Sequence, residues 1–290
     1  AGLAAHLKTG PRLTDPQSAY PGMRLAWSRE IDAGGRRFAV LPGLRLVPLD
    51  KIRATAPLAP LRRKIDDKTS LPQARTLWWE ATRYGFTARG FVPQGKLNQH
   101  TWLPVTAKVR IGRRMRLLET TTHHYVARQD VAIFRKRARP RGVGPTDKWV
   151  HIDIYDGSLV TYLGDTPQWM TPVSVGLHGA TPKAEFRTPP GRYRVSSKSI
   201  SSTMAGSISG GGTWRTREVP WVAYYDGSYA LHGAWWHDRF GRPRSHGCTN
   251  LTPGDARALF DWMDPPLPKG WYTVTSKPGK RRGTTVLISP

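Results

Sequence analysis

The segment Ser245-His246-Gly247-Cys248-Thr249-Asn250 holds the only cysteine of the 290-residue chain. A thiol acts as a nucleophile when it can lose its proton and when an acyl group can approach it. Gly247 leaves room for a substrate backbone because it has no Cβ, and His232 or His246 could take the proton. A free cysteine is more often a small buried apolar residue, but the polar, flexible neighbours of Cys248 do not suit a packed strand. The segment therefore favours a catalytic cysteine.

A histidine motif precedes this segment, and the two together resemble a known family. Leu231-His232-Gly233 followed by Ser245-His246-Gly247-Cys248-Thr249-Asn250 is similar to the signature of the YkuD-type L,D-transpeptidases, His-Gly and then Ser/Thr-His-Gly-Cys-x-Asn/Arg. The interval between the two motifs is slightly shorter than the usual family pattern. This departure affects the loop expected over the site and not the chemistry. Other family elements occur in the right order and cover about the C-terminal half of the chain: Trp149-Val150-His151-Ile152-Asp153-Ile154, Thr188-Pro189-Pro190-Gly191 with Arg192-Tyr193-Arg194-Val195, and Val219-Pro220-Trp221.

The resemblance implies a peptidoglycan L,D-transpeptidase. In that reaction Cys248 attacks the amide that follows the L-centre of a diamino acid in a tetrapeptide stem and expels D-alanine. An amine then takes the acyl group; it belongs to another stem, which gives a crosslink, or to an outer-membrane or wall-anchored protein. With water as acceptor the enzyme is an L,D-carboxypeptidase, and an amidase of the same fold is a further alternative. No metal or other cofactor is expected.

The resemblance also assigns roles within the site. His232 is the base that takes the thiol proton and later protonates the leaving amine, and the backbone carbonyl of Gly233 orients its other ring nitrogen. Backbone N–H groups of Gly247 and Cys248, together with His246, are expected to meet the oxyanion. Ser245 and His246 are expected to shape the turn. A nearby imidazole can lower a cysteine pKa from about 8.5 to roughly 3.5–7.5, so a readily formed thiolate is expected.

Five residues are predicted to bind substrate. Trp235 and Trp236, with Arg244 close by in the chain, could hold a sugar-linked acidic stem peptide. The alternative is that the tryptophans pack internally and the arginine belongs to a solvated rim. Tyr225 is a pocket candidate, although tyrosines in strands are more often structural. Asn250 is assigned to the same set and is also expected to pin the turn through its side chain.

The strongly basic composition indicates an anionic partner. The chain has 45 Lys and Arg against 20 Asp and Glu, a formal net charge of +25, and peptidoglycan stem peptides carry free carboxylates. One cysteine excludes an internal disulfide. No apolar run of about 18 residues predicts a transmembrane helix. The resemblance implies an exported protein of the periplasm or cell wall, although no basic-then-apolar leader is visible in this sequence.

The pattern of short alternating segments predicts a mostly β protein. Residues 148–290 are expected to form a YkuD-like β-sandwich catalytic domain with one or two short helices, the clear one starting after Thr252-Pro253-Gly254-Asp255. Residues 1–140 are expected to be a β-rich accessory domain, irregular over residues 1–20, with SH3-like wall-binding modules and a structural brace as alternatives. Residues 141–147 are expected to be the linker within a basic, extended stretch. The Ser- and Gly-rich segment from Ser197 to Gly212 is expected to be a mobile loop.

Two rival functions come from other classes. A zinc hydrolase could use His232, His237, Asp238, His246 and Cys248. However, His246-x-Cys248 is a poor chelate spacing, and the chain has no His-Glu-x-x-His motif. A nucleic-acid-binding protein would fit the positive charge, but no zinc finger, helix-turn-helix or RNP motif is recognisable, and no nucleic acid is expected as a partner.

Overall fold

The computed structural model describes residues 25–27, 29–41, 45–54, 56–112, 115–177, 186–208, 212–277, 279 and 282–290. These residues form 21 β-strands in four sheets and one α-helix. The prediction of a mostly β protein with one or two short helices is confirmed. The irregular segment predicted for residues 1–20 lies outside the described residues.

The N-terminal half contains two antiparallel sheets. The first is a meander of β1 (Arg29–Ala33), β2 (Arg36–Leu41) and β3 (Arg45–Pro48). Gly34 and Gly35 form its first turn, and both have the positive φ (65° and 75°) that a tight hairpin requires. The second sheet has the order β11-β5-β8-β9-β10-β6-β7. Its strands are β5 (Gln73–Thr76), β6 (Ala81–Thr87), β7 (Gly90–Leu97), β8 (Trp102–Ile111), β9 (Arg116–Thr120), β10 (Tyr125–Ala127) and β11 (Val131–Phe134). A wall-binding role for this half stays a prediction.

Two further sheets form the C-terminal half. The six-stranded sheet has the order β15-β21-β12-β13-β14-β4, and the five-stranded sheet has the order β19-β18-β17-β16-β20. The strands of the first are β4 (Arg63–Lys64), β12 (Lys148–Asp153), β13 (Ser158–Leu163), β14 (Thr166–Pro172), β15 (Gly191–Arg194) and β21 (Thr285–Ser289). Those of the second are β16 (Ser197–Ile208), β17 (Gly212–Asp226), β18 (Tyr229–Gly233), β19 (Thr249–Leu251) and β20 (Thr273–Thr275).

The two C-terminal sheets enclose one hydrophobic core with the helix α1 (Pro253–Trp262). Val150 and Ile152 of β12, Leu231 of β18 and Leu259 of α1 are all buried in it. The predicted cap is present, since Thr252 Oγ1 accepts a hydrogen bond from the backbone of the first helical turn at 3.1 Å. No described helix is long and apolar enough to cross a membrane.

A second core joins the two halves of the chain. Trp149 and Tyr162 of the six-stranded sheet stack at 4.0 Å between ring centroids and pack in one cluster with Leu77, Ala132 and Phe134 from the N-terminal half. Strand β12 is therefore buried on both faces rather than on one. The predicted division at residues 141–147 stays a prediction, but apolar contacts cross it.

The basic stretch that precedes the predicted linker is held against the C-terminal half by ion pairs. Arg137 lies 3.3 Å from the Asp153 carboxylate, and Arg139 lies 3.1 Å from that of Asp165. Arg135 pairs with Asp156, which Arg128 also contacts. The positive charge of this stretch is thus partly matched by carboxylates of the same chain.

A short N-terminal strand also enters the C-terminal half. Strand β4 pairs with β14 through Arg63↔Met170 and Lys64↔Trp169. Just before it, Leu61 N–H donates to Asp255 Oδ2 at 2.8 Å, and the Arg62 guanidinium donates to Oδ1 at 3.2 Å. Asp255 is fully buried at the start of α1. One carboxylate therefore links residues 61–62 to the C-terminal half.

The expectation of a mobile loop from Ser197 to Gly212 was wrong. Residues 197–208 form β16, which pairs along its length with β17 and, at its start, with β20. Residues 209–211 lie outside the described residues. Serine-rich composition suggested a loop, but ladder hydrogen bonds to two neighbouring strands satisfy the backbone of this segment.

We expect Asp255→Asn to lower the free energy of unfolding by about 2–3 kcal/mol, because a buried charged acceptor of several hydrogen bonds is lost. Asp261→Asn is the matched control on the same helix. Its side chain is 63% exposed and lies 3.8 Å from Arg257, so a change within about 0.5 kcal/mol is expected. Denaturant unfolding monitored by tryptophan fluorescence measures both. Equal effects of the two substitutions would contradict the role given to Asp255.

Candidate active site

The five-stranded sheet presents two faces of different character. Ala223 and Leu231 point to the main core and α1. Val222 and Ala230, their neighbours in sequence, point the other way and form a small cluster with Met204, Val219 and, at its edge, Cys248. We call this second side the outer face.

Cys248 lies directly before β19 on the outer face and is half-buried. Its thiol contacts the Ser228 carbonyl oxygen at 3.6 Å, and S–H donates in this contact. Strands β18 and β19 are parallel, with Leu231↔Thr249 and His232↔Asn250 as partners. Since side chains alternate along a strand, His232 shares the outer face with Ala230 and stands on the strand next to Cys248. The two motifs are therefore brought together.

The contacts of His232 define its tautomer. Its Nδ1 lies 3.1 Å from the Gly233 carbonyl oxygen. A carbonyl can only accept, so Nδ1 carries the proton of the neutral ring and Nε2 has a free lone pair. The ring is 3% exposed and lies 5.8 Å from the Trp236 ring. Nε2 is thus the ring nitrogen of His232 that can accept a proton.

Two hydroxyl groups hold the turn that carries Cys248. Ser245 Oγ accepts from Gly247 N–H at 3.1 Å and donates to the Cys248 carbonyl oxygen. Thr188 Oγ1 donates to the Gly247 carbonyl oxygen at 2.8 Å and accepts from Gly176 N–H at 2.8 Å. The N–H of Gly247, expected to meet the oxyanion, is instead bound by Ser245. These contacts agree with the turn-shaping role expected for Ser245. Thr188 makes equivalent contacts, but the sequence analysis named it only within a family motif and gave it no role at the turn.

The close packing of Tyr229 also requires a glycine at position 247. Its φ is +117°, and a Cβ at this position would lie 2.5 Å from the Tyr229 ring. The absence of a side chain on Gly247 was expected to leave room for substrate. In the structure it leaves room for the Tyr229 ring. The sequence gives no spacing signal for Tyr229, because the contact depends on how β18 meets the cysteine turn.

Two residues predicted to bind substrate are buried instead. Tyr225 is 5% exposed, packs in the main core and faces away from the outer face. Asn250 is 2% exposed, and its amide nitrogen lies 3.1 Å from His237 Nε2. Tyr225 lies in a strand, as expected, and the register turns its side chain inward. Asn250 lies in β19 rather than in the expected turn, and its side chain is covered. Burial of both side chains does not favour direct contact with substrate, and the substrate roles of Tyr225 and Asn250 stay predictions.

The other predicted substrate residues remain accessible. Trp236 is half-buried and packs in the same outer-face cluster as Cys248. Trp235 contacts Trp236 edge-on at 5.1 Å between ring centroids, and Arg244 is exposed beside the turn. Substrate binding by these three residues stays a prediction.

His246 belongs to an aromatic wall at the mouth of the site. Its ring stacks on Trp214 at 5.3 Å and meets Phe186 edge-on at 4.5 Å between ring centroids. Trp214 also packs in the cluster that contains Cys248. Trp214 lies on β17, in a stretch that the composition did not single out, so sequence reasoning missed it.

The N-terminal half supports the loop between the two motifs. Arg242 donates to the backbone carbonyl oxygens of Val131 at 3.4 Å and of Gln129. Gly241 approaches Leu77 so closely that a Cβ would lie 2.5 Å from it. Of the two alternatives for the N-terminal half, these contacts favour the structural brace.

Burial decides the protonation state of the candidate pair. It raises the pKa of the Cys248 thiol to about 11, opposed by a backbone hydrogen bond from Ala230. It lowers the pKa of His232 to about 4, opposed by the contact with Gly233. The expected readily formed thiolate is therefore not the resting state. The Cys248 thiol and the His232 imidazole are both neutral near pH 7, because both charged forms would lose hydration.

The described part of the chain contains no set of side chains that could bind the zinc ion of the alternative hydrolase. No three or more His, Cys, Asp or Glu side chains there lie close enough together to hold a metal ion. His237, one of the proposed ligands, is buried and contacts the Asn250 side chain.

Comparison with known proteins gives one family match. Residues 147–288 match the family model of the YkuD L,D-transpeptidase catalytic domain. No curated protein sequence matches the chain significantly.

Several solved structures are similar to the chain. The catalytic domain of an E. faecium L,D-transpeptidase is 21% identical, with 50% of this chain and 98% of that chain covered and a TM-score of 0.37. An L,D-transpeptidase from Xylanimonas cellulosilytica is 23% identical, with 53% and 64% covered and a TM-score of 0.32. One from Mycobacterium tuberculosis H37Rv is 16% identical, with 72% and 80% covered and a TM-score of 0.37.

The rate of alkylation by iodoacetamide should follow the raised pKa of Cys248. Only the thiolate reacts, and the chain has one cysteine, so modification reports on this residue alone. We expect the rate to rise about tenfold per pH unit from pH 7 to pH 10. The urea-unfolded protein is the control, and its rate should level off above a pKa of about 8.5. A native rate that is already constant below pH 8 would contradict a raised pKa of the Cys248 thiol.

Thr188→Val should lower the free energy of unfolding by about 1–3 kcal/mol, because it leaves the Gly247 carbonyl and Gly176 N–H buried without their partner. Thr188→Ser keeps the hydroxyl and should retain most of the stability. The alkylation rate of Cys248 at pH 10 should change in the valine variant only. A loss of stability in Thr188→Ser with none in Thr188→Val would show that the methyl group of Thr188, and not its hydroxyl, holds the turn.

Proposed function

Residues 147–288 belong to the YkuD family of L,D-transpeptidase catalytic domains, and we propose that the protein is a peptidoglycan L,D-transpeptidase with Cys248 as its nucleophile. The family match is the observation that carries the proposal. A second observation supports it: Cys248, the only cysteine, and His232 lie on one face of neighbouring strands. The Gly233 carbonyl fixes the tautomer of His232 so that Nε2 can accept a proton. The acyl donor is a tetrapeptide stem with a diamino acid at its third position.

In the acylation step, Cys248 Sγ attacks the carbonyl carbon between the diamino acid and D-alanine. The thiol proton passes to His232 Nε2 as the carbon–sulfur bond forms, so the charged pair exists only after substrate has arrived. The tetrahedral intermediate collapses, the carbon–nitrogen bond breaks, and His232 returns the proton to the departing amine of D-alanine. A thioester between the stem and Cys248 remains.

The second step reverses the roles of the same groups. An acceptor amine attacks the thioester carbonyl and gives a proton to His232 Nε2. The carbon–sulfur bond breaks, and the proton returns to Cys248 Sγ, which restores the neutral pair. The N–H groups of His246 and Cys248 are the remaining backbone candidates for the oxyanion, since that of Gly247 donates to Ser245.

A neutral resting pair suits an enzyme outside the cytoplasm. We propose that the protein is exported and works in the periplasm or at the cell wall, where an uncharged thiol is less readily oxidised than a thiolate. Its net charge of +25 favours contact with the anionic wall. The acceptor is a second stem or an amine of an outer-membrane or wall-anchored protein.

A carbapenem tests the nucleophile directly, because its strained β-lactam carbonyl acylates a reactive thiol without needing an acceptor. We expect intact-protein mass spectrometry to show one added carbapenem on the wild type and none on Cys248→Ala. The alanine variant should keep its circular dichroism spectrum, since Cys248 lies at the edge of a small cluster. An unmodified wild type, or modification that survives in Cys248→Ala, would overturn the assignment.

The products from purified muropeptides identify the acceptor. Crosslinked stems support transpeptidation, and stems that have only lost D-alanine indicate the L,D-carboxypeptidase. Cleavage at another amide indicates the amidase alternative. Retention of duplex DNA by both wild type and Cys248→Ala, without muropeptide turnover, would favour the nucleic-acid-binding alternative.

A further inference from the structure

The tips of two β-hairpins in the N-terminal half contact each other. One tip joins β6 to β7 beyond the cross-strand pair Phe86↔Phe91, and the other joins β8 to β9. Arg110, near the end of β8, lies over the Phe86 ring, with its guanidinium carbon 5.4 Å from the ring centroid. A Cβ on Gly112, just past β8, would lie 3.4 Å from the Phe91 ring. These contacts place the two tips side by side.

Each tip exposes a large apolar side chain. Phe86 is 56% exposed, and Ile111 is 84% exposed. Because side chains alternate along a strand, Ile111 projects to the side of β8 opposite to Arg110, whereas the Phe86 ring lies under Arg110. The paired tips therefore carry apolar groups on both of their sides. We call Phe86, Ile111, Arg89 and Arg110 the tip surface.

The charge of the same region is entirely positive. Residues 81–118 contain eight Lys and Arg and no Asp or Glu. Arg89 in the β6–β7 tip and Arg110 beside it are exposed, and neither forms an ion pair with another described residue. Arg113 and Arg114, which belong to the same run of sequence, lie outside the described residues. Charge complementarity therefore favours an anionic partner.

The sheet edge next to the tips does not suit a partner that adds a strand. Strand β7 is the last strand of the seven-stranded sheet and contains Pro93 and Lys96. Proline lacks the N–H that a pairing strand needs, and an exposed lysine on an edge disfavours pairing. A second copy of this chain or another β-strand is therefore not the expected occupant.

An anionic lipid bilayer matches both properties of the tip surface. Apolar side chains enter the boundary between headgroups and acyl chains, while arginines stay with the anionic headgroups. A flat protein face would cover one side of the tips and leave the apolar group on the other side in water. A water-soluble anionic polymer would pair with the arginines and leave both Phe86 and Ile111 hydrated. A bilayer entered end-on surrounds the two sides together.

We propose that the tip surface inserts into the headgroup boundary of an anionic membrane. Phe86 and Ile111 enter the apolar layer, and Arg89 and Arg110 contact lipid phosphates. The N-terminal half thereby acts as a peripheral membrane anchor, in addition to its contacts with the C-terminal half. This inference does not rest on the proposed function, because membrane binding needs neither Cys248 nor a stem peptide.

Sedimentation with lipid vesicles tests the tip surface. The wild type should bind vesicles of equal parts phosphatidylglycerol and phosphatidylcholine, and more weakly as salt rises from about 0.05 M to about 0.5 M. Ile111→Ser should lower the partition coefficient roughly tenfold, because a large apolar side chain no longer leaves water. Arg89→Gln should lower it about fivefold, the effect of one cation near an anionic surface.

Two control variants remove the same kinds of group from the C-terminal half. Leu163→Ser replaces an aliphatic side chain that is 41% exposed, and Lys269→Gln removes one exposed cation. Both should bind vesicles like the wild type. If Ile111→Ser also binds like the wild type, the protein adsorbs through charge alone and the proposed insertion is wrong. If Lys269→Gln weakens binding as much as Arg89→Gln, net charge and not the tip surface determines binding.

A fluorescent label at the tip reports insertion directly. Ile111→Cys is combined with Cys248→Ala, so that a nitrobenzoxadiazole group attaches at position 111 alone. Its emission should shift to the blue with the anionic vesicles and stay unchanged with soluble polyglutamate. Protein that sediments with the vesicles without this shift would overturn the proposal. Because this variant lacks the proposed nucleophile, the result is independent of any transpeptidase activity.

Discussion

The parallel pairing of β18 with β19 is the constraint on which the candidate site depends. Their register, Leu231↔Thr249 and His232↔Asn250, puts the imidazole and the thiol on the same face of one sheet. A slip of one residue in either strand would turn one of the two side chains into the core. The buried partners of the cysteine turn, above all Thr188 and Ser245, hold the end of β19 where this register needs it.

The same packing that fixes the register also sets the electrostatics. Burial disfavours both the thiolate and the imidazolium, which raises one pKa and lowers the other. In the proposed reaction the proton therefore passes from Cys248 to His232 during the attack on substrate. A thiolate–imidazolium pair is not present beforehand. The N-terminal half contributes to this arrangement from a distance, because its β11 region supports the loop that carries Arg242, and the core around Trp149 fixes it to the catalytic sheets.

The motifs and the fold class could be predicted from sequence because they depend on local patterns. The contiguous Ser-His-Gly-Cys segment, the hairpin at Gly34-Gly35 and the cap of α1 each leave a short-range signal. Side-chain orientations and strand pairings that depend on the register between distant strands could not be predicted. The side chain of Tyr225 packs in the main core, and that of Asn250 is covered. Strand β16 forms because β17 and β20 satisfy its backbone despite its Ser- and Gly-rich composition. The raised pKa of Cys248 depends on burial, which no neighbouring residue in the sequence reveals.

Trapping the acyl-enzyme with the natural donor tests the central claim most directly. The protein is mixed with a tetrapeptide stem in the absence of acceptor, quenched in acid within the first turnover, digested and analysed by mass spectrometry. The peptide that contains Cys248 should carry the stem without its terminal D-alanine, bound as a thioester that hydroxylamine removes. D-alanine release with an unmodified Cys248, or the acyl group on another side chain, would contradict catalysis by this thiol.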